Sequence, residues 1–270
     1  MTVAVGDLAA FQAYLRDVEG LSKSTVRVYS EAIRRYLLAY PTPVAASAVH
    51  WLSNFSSDNT RSTLASGLRA YFAWKGQPLK VKVRVGESLP NPLSLGDLWL
   101  LLRGVRTRPT LQLQVLTMAF AGLRVTELCE LRTGNIVSEV QALRLRGKGK
   151  KERIIPLTAP LYLMMVTASV SKRPGSPLFP GQGTNRFVSR YSVEHAVSEA
   201  GRAAGITVPV YPHRLRHFYA TWRYALTKDG FLVAREMGHS SPATTYGYAG
   251  LVQVPAGVHS MADVWDRVMV

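Results

Sequence analysis

Six side chains in this sequence are of the kinds that can grip and attack a phosphodiester. The stretch Tyr211-Pro212-His213-Arg214-Leu215-Arg216-His217 holds two of them. His213 and Arg216 stand three positions apart, so a helix puts both on one face, where they can hold one anion together. His239 follows in Gly238-His239, where a loop gives way to a short helix, and Tyr248 stands nine residues beyond it. Far upstream, Ala121-Gly122-Leu123-Arg124-Val125-Thr126-Glu127-Leu128 supplies Arg124. Arg146-Gly147-Lys148-Gly149-Lys150-Lys151 supplies Lys148 on the tip of a hairpin. Two arginines, a lysine, two histidines and a tyrosine are enough to activate a phosphodiester and attack it, with no metal in the scheme.

These residues need a scaffold, and its elements are legible. The first 76 residues read as helices alone. Leu8, Phe11 and Leu15 form one apolar stripe, ended by Gly20. Ser22 or Ser24 can cap the next helix, where Val26, Tyr29, Ile33 and Leu37 recur at helical spacing until Pro41 and Pro43. A short helix near Val44 to Phe55 follows, then one carrying Leu64, Leu68, Tyr71 and Phe72, closed by Gly76. Arg61, Arg69 and Lys75 lie on the solvent side of this four-helix module. Lys80-Val81-Lys82-Val83-Arg84-Val85 then alternates charge with β-branched residues. That alternation suits either an edge strand with its charges in water or an extended basic linker along a phosphate backbone.

A second domain opens at Ser94. Leu95 to Leu102 and Leu111 to Ala121 read as helices, and Arg124 opens another that ends near Thr133-Gly134. Between Ile136 and Leu157 the period switches to that of strands, with Gly147 and Gly149 making the tight turn of a lysine-tipped hairpin. Helices return over Leu161 to Val170, Arg186 to Ala204, His213 to Leu226 and Phe231 to Met237. The reading is a mainly α protein with a small β-hairpin or sheet. It divides into residues 1–80, a basic linker at 81–92 and a larger domain at 93–270.

Composition narrows the partner. A formal charge of +16 and a pI near 10.3 on a folded, non-repetitive chain point first to a polyanion. No polybasic run borders an amphipathic or lipidated terminus, and no apolar run approaches the roughly 20 residues needed to span a bilayer. A membrane partner is therefore not expected. The start of the chain has no basic region of a secretory signal, and the single cysteine, Cys129, allows no intrachain disulfide; both suit a reducing cytoplasm. Cys129 reads as a buried structural thiol. His213 and His217 have the spacing of zinc-binding helices but lack the glutamate of a His-Glu-x-x-His motif. No metal site and no cofactor are expected.

In this order and at these spacings, the motifs resemble those of tyrosine recombinases, the family of phage integrases and Xer-type resolvases. The family's Gly-Leu-Arg-x-x-Glu-Leu turn matches Gly122 to Leu128, its Gly-Lys-Gly-x-Lys hairpin Gly147 to Lys151, and its His-x-Leu-Arg-His helix His213 to His217. Its Leu-Gly-His-Ser-Ser segment and following tyrosine match Met237 to Tyr248, with Met in place of Leu. The resemblance implies an N-terminal four-helix (SAM-like) module that binds core DNA, joined to a catalytic domain. It makes Tyr248 the nucleophile, forming a 3′-phosphotyrosine and a free 5′-hydroxyl. Attack puts charge on the non-bridging oxygens, which Arg124 and Arg216 can each fork onto, with His239 as a further donor. His213 is the candidate base, and Lys148 the candidate acid on the 5′-oxygen, with Lys150 as runner-up.

Around that set, Glu127 is expected to pair with Arg124, and His217 to pack beneath the site. Arg61, Arg69, Lys75, Lys80, Lys82, Arg84, Lys150 and Lys151 are expected to face DNA. Tyr246 is the rival nucleophile, but on a helix it points to another side than Tyr248. The core-binding helices begin close to Met1, so an extra arm-binding domain is not expected. The expected partners are double-stranded core sites and further copies of the chain: a monomer that becomes a homodimer on one site and a homotetramer on two. The apolar stripe Met261, Val264, Trp265 and Val268 would fold onto its own domain or be donated to a neighbour, and the sequence leaves both open. If phage-encoded, the enzyme works in a bacterial host cytoplasm. Two rival functions remain at this level: a type IB topoisomerase-like strand transferase, and a non-catalytic DNA-binding protein of the same fold.

Overall fold

The computed structural model describes residues 3–86, 91–146, 152–182, 186–238 and 243–269. The chain forms two compact units, Met1–Ser88 and Leu89–Val270. In the first, α1 (Val3–Asp17), α2 (Lys23–Ala39), α3 (Ala45–Ser53) and α4 (Asp58–Trp74) enclose Phe11, Leu15, Ile33, Tyr36, Leu68, Tyr71 and Phe72. Of the two serines that could cap α2, Ser22 does so, accepting the Thr25 N–H at 3.3 Å; Ser57 caps α4 in the same way. Residues 77–86 join no strand ladder, so the edge-strand reading fails. Their alternation has another use. Val81 and Val83 pack on the helical core, and Lys80, Lys82 and Arg84 face water.

The second unit begins its helices with α5 (Leu95–Gly104), capped by Ser94, which accepts the Asp97 N–H at 3.0 Å. Such a cap contributes about 1 kcal/mol. Helix α6 (Pro109–Ala121) is buried along most of its length and packs against α10 (Pro212–Thr227), which places both at the centre of the core. It ends at Gly122, whose left-handed φ of 63° turns the chain toward Arg124. Helix α7 spans only Val125–Cys129, shorter than the apolar pattern predicts. Glu130 caps it, Leu131 goes to the core, and Thr133–Asn135 form a separate 3₁₀ turn.

Strands β1 (Ile136–Val137), β2 (Ala142–Arg146) and β3 (Glu152–Pro156) make an antiparallel sheet in the order β1-β2-β3. Arg146 pairs with Glu152 across the β2–β3 hairpin, and Val140 lies exposed in a turn rather than in a strand. Helices α8 (Ala159–Ser169), α9 (Arg190–Ala203), α11 (Gly230–Met237) and α12 (Ala243–Tyr246) complete the frame. The chain closes with α13 (Met261–Met269), which buries Met261, Val264, Trp265 and Val268 against its own unit. Trp265 meets Phe120 of α6 edge-on at 5.0 Å. Of the two courses open to this stripe, the structure shows the folded-back one. Cys129 is buried, and burial pushes its thiol up to about 11, which suits an inert packing group.

Candidate active site

Two helix ends converge where the two arginines lie. The carbonyls that close an α-helix have no partner inside it and carry partial negative charge. Helices α6 and α11 end on the left-handed glycines Gly122 and Gly238, leaving such carbonyls near one another. Arg216 on α10, 2% exposed, donates to the Gly122 carbonyl at 2.6 Å and to the Met237 carbonyl at 2.5 Å. Arg124 donates to the Gly238 carbonyl at 2.9 Å. A planar fork suits two carbonyls from different turns, which an ammonium would not match. Burial, then Arg124, lowers the Arg216 pKa to about 9, so the group stays charged at neutral pH.

Glu127 anchors these cations. Its carboxylate lies 3.1 Å from Arg124, 2.8 Å from Arg153 and 3.8 Å from Arg216, and it accepts the Arg124 backbone N–H at 2.7 Å as α7 begins. Burial by itself would raise its pKa. Arg153 first, then the Arg124 N–H, outweigh that and hold the carboxyl below its usual range. Beneath lies a second ionic layer. Glu236 on α11, 3% exposed, accepts from Arg223 at 2.8 and 2.9 Å and from the Tyr219 hydroxyl at 2.9 Å. Tyr219 in turn packs against Gly122, where an added Cβ would come within 2.4 Å of its ring.

Tyr248 is 4% exposed and its oxygen lies 2.7 Å from Nδ1 of His217. Burial raises the phenol pKa. Burial, then His213 and Arg216, holds His217 down at about 4. At neutral pH a protonated phenol therefore faces a neutral imidazole, and it is the donor when the imidazole carries its proton on Nε2. His213 packs against His217, ring centroids 4.4 Å apart, and its own pKa is lowered by burial and then by Arg216 and Arg124. A cavity of about 550 Å³ opens between α7, α9 and α10, lined by Arg124, Arg190, Glu194, Tyr211, His213 and Arg216. Tyr246 is 49% exposed and lies against Gly230, away from this cluster.

Residues 103–253, more than half of the chain, match the phage integrase family. The chain belongs to that family. Over 254 residues it is 30% identical to tyrosine recombinase XerA of Pyrococcus furiosus, covering 89% of this chain and 88% of that one. The corresponding recombinase of Thermococcus kodakarensis is 32% identical, with 88% of each chain covered. In fold, the chain is similar to a crystallised lambda integrase dimer bound to a COC′ core site. That TM-score is 0.72, at 17% identity over 94% of this chain and 99% of that one. This integrase-family protein is a site-specific tyrosine recombinase, an enzyme that cleaves DNA and transfers the strand.

Arg124, Arg216, His213, His217, Tyr248 and Glu127 thus come together from segments up to 124 positions apart. Lys148, Lys150, Lys151 and His239 lie outside the described residues. In the first unit, Arg61 pairs with Asp58 and Lys75 with Asp7 at 2.7 Å, while Arg69 donates to the Val81 carbonyl at 3.4 Å. The motif reading names His217 but not its contact, and it misses Arg153 altogether. His217 contacts the Tyr248 oxygen instead of merely packing under the site. Arg153 sits on the buried face of β3, a position that strand alternation reveals: Ile155 points inward, so Arg153 must as well.

Proposed function

We propose that this recombinase attacks a duplex core site with the Tyr248 hydroxyl, leaving the 3′-phosphate on tyrosine and a free 5′-hydroxyl. The observation that carries the assignment is the 2.7 Å contact of the Tyr248 oxygen with His217, on the helix that also bears Arg216. Arg124 and Arg216 neutralise the charge that develops on the non-bridging oxygens, and His239 donates to the same group. His213 faces the cavity and serves as base or as a further donor. The 2.7 Å contact makes His217, rather than His213, the hydrogen-bond partner of the phenol before attack. Incubation with duplexes nicked beside the cut site, followed by peptide mapping, should find DNA on Tyr248. An adduct on any other residue overturns the assignment.

Lys148 is the acid that protonates the departing 5′-oxygen. Replacing that bridging oxygen by sulfur removes the need for the proton, so Lys148→Ala should cleave the sulfur substrate at nearly the normal rate while failing on ordinary DNA. Rescue of Lys150→Ala but not of Lys148→Ala would move the role to Lys150. The chemistry runs on side-chain cations. Cleavage should therefore persist in excess chelator, and loss of activity restored by a divalent ion would count decisively against this scheme.

DNA is held by both units, with Arg61, Arg69, Lys75, Lys80, Lys82, Arg84, Lys150 and Lys151 on the phosphates. The enzyme binds as a dimer on one core site and a tetramer on two, in the cytoplasm, which is that of a bacterial host if a phage encodes it. A neighbour's groove can accept α13, because residues 252–255 on the path to it adopt no regular structure and its apolar stripe needs only a matching groove. Deleting residues 258–270 should spare single-site binding and remove cooperative assembly and recombination. A truncated chain that recombines normally shows that the helix is not the connector.

A further inference from the structure

An arginine on the inward face of a strand needs a reason, because burying a guanidinium is costly unless it is paired. Arg153 is 8% exposed and its partners come from two other elements. Its Nε donates to the Glu236 carbonyl at 2.9 Å, in the last turn of α11. Its Nη2 lies 2.8 Å from Oε2 of Glu127 in α7, the closest ion pair that carboxylate makes among the described residues. It also lies against the Gly238 turn. A Cβ built on Gly238 would stand 3.1 Å from Arg153 Nη1 and 3.4 Å from Arg124 Nη1. One side chain thus joins β3, which continues from the lysine hairpin, to α7 and to the turn that precedes His239.

We propose that Arg153 is a positioning residue for strand cleavage, holding Glu127 so that Arg124 and Arg216 remain available to a phosphate. This rests on the reading above that those two arginines neutralise the scissile group. The physical reason is competition. Glu127 is one carboxylate, its side chain 14% exposed, among three guanidiniums. With Arg153 on Oε2 at 2.8 Å, Arg216 stays 3.8 Å away. Remove Arg153, and the carboxylate has charge to spare for Arg216, drawing it into a full pair that a phosphate must then break. The Gly238 turn loses its backing at the same time. Both effects are confined to the scissile group, one phosphate among the many that the basic side chains contact, so affinity should change little.

The test compares two substrates with the same core sequence. One carries an ordinary scissile phosphodiester, and the other a methylphosphonate, in which a methyl group replaces a charged non-bridging oxygen. Arg153→Met should bind DNA like the parent and cleave the phosphodiester about 100-fold more slowly, the size of effect that a small misplacement of reacting groups produces. On the methylphosphonate most of that deficit should vanish, because the charge the arginines serve is gone. Arg153→Lys should fall between, since an ammonium can hold Glu127 or the Glu236 carbonyl but not both in the same geometry. It also carries the comparison if the Met variant does not fold. Arg124→Ala is run alongside. If Arg124→Ala recovers on the methylphosphonate and the Arg153 variants do not, Arg153 is merely structural and the proposal is overturned. If Arg124→Ala itself fails to recover, the arginine reading falls and this proposal with it.

Discussion

Tyr248→Phe should abolish the covalent protein–DNA adduct completely while leaving DNA affinity at the parental level. The substitution removes only the phenolic hydroxyl, whose polar contact among the described residues is His217 Nδ1 at 2.7 Å, inside the second unit. Burial raises the pKa of this phenol, so little tyrosinate exists at neutral pH and attack requires a partner that takes the proton. His217, held at about 4, is neutral and can accept a hydrogen bond from the phenol, but so weak a base takes the proton only in concert with attack on phosphorus. Tyr246→Phe should keep full cleavage, since that ring is half-exposed and lies against Gly230. Adduct yield on a nicked duplex, with affinity measured in parallel, checks both. An adduct surviving in Tyr248→Phe removes the nucleophile assignment outright.

Arg124→Ala should slow cleavage by about 100- to 1,000-fold, the usual cost of losing one preorganised donor to a developing oxyanion. Arg124 is the better probe of the pair. Its side chain is 40% exposed, whereas Arg216 is sealed between the Gly122 and Met237 carbonyls, so its loss would also disturb folding. Arg124→Lys should recover little, because an ammonium cannot bridge Glu127, the Gly238 carbonyl and two phosphate oxygens at once. Single-turnover rates at saturating DNA isolate this step. A rate within tenfold of the parent (about 1.4 kcal/mol) would mean that Arg124 shapes the site without serving the transition state.

The reach of the sequence follows from the range of the forces involved. Helix stripes, the serine caps and the strand alternation are local, set by side-chain spacing along a few turns, so α2, α4, α5 and the hairpin strands are legible in advance. The spacing of His213 and Arg216 on one helix face is local too. The end of α7 is not, because Leu131 leaves the helix for a core that only the whole unit creates. The fold-back of α13 depends on a groove that includes Phe120 of α6. The same holds for the choice of His217 over packing and for the ion pairs of Arg153. An unpaired buried charge is so costly that Arg153 must find Glu127, yet these residues are 26 positions apart and no local rule joins them. Sequence by itself determined the chemistry and the helices that bear it. Tertiary structure alone decided which imidazole meets the tyrosine and which carboxylate orders the arginines, because those contacts are made between elements and paid for by burial.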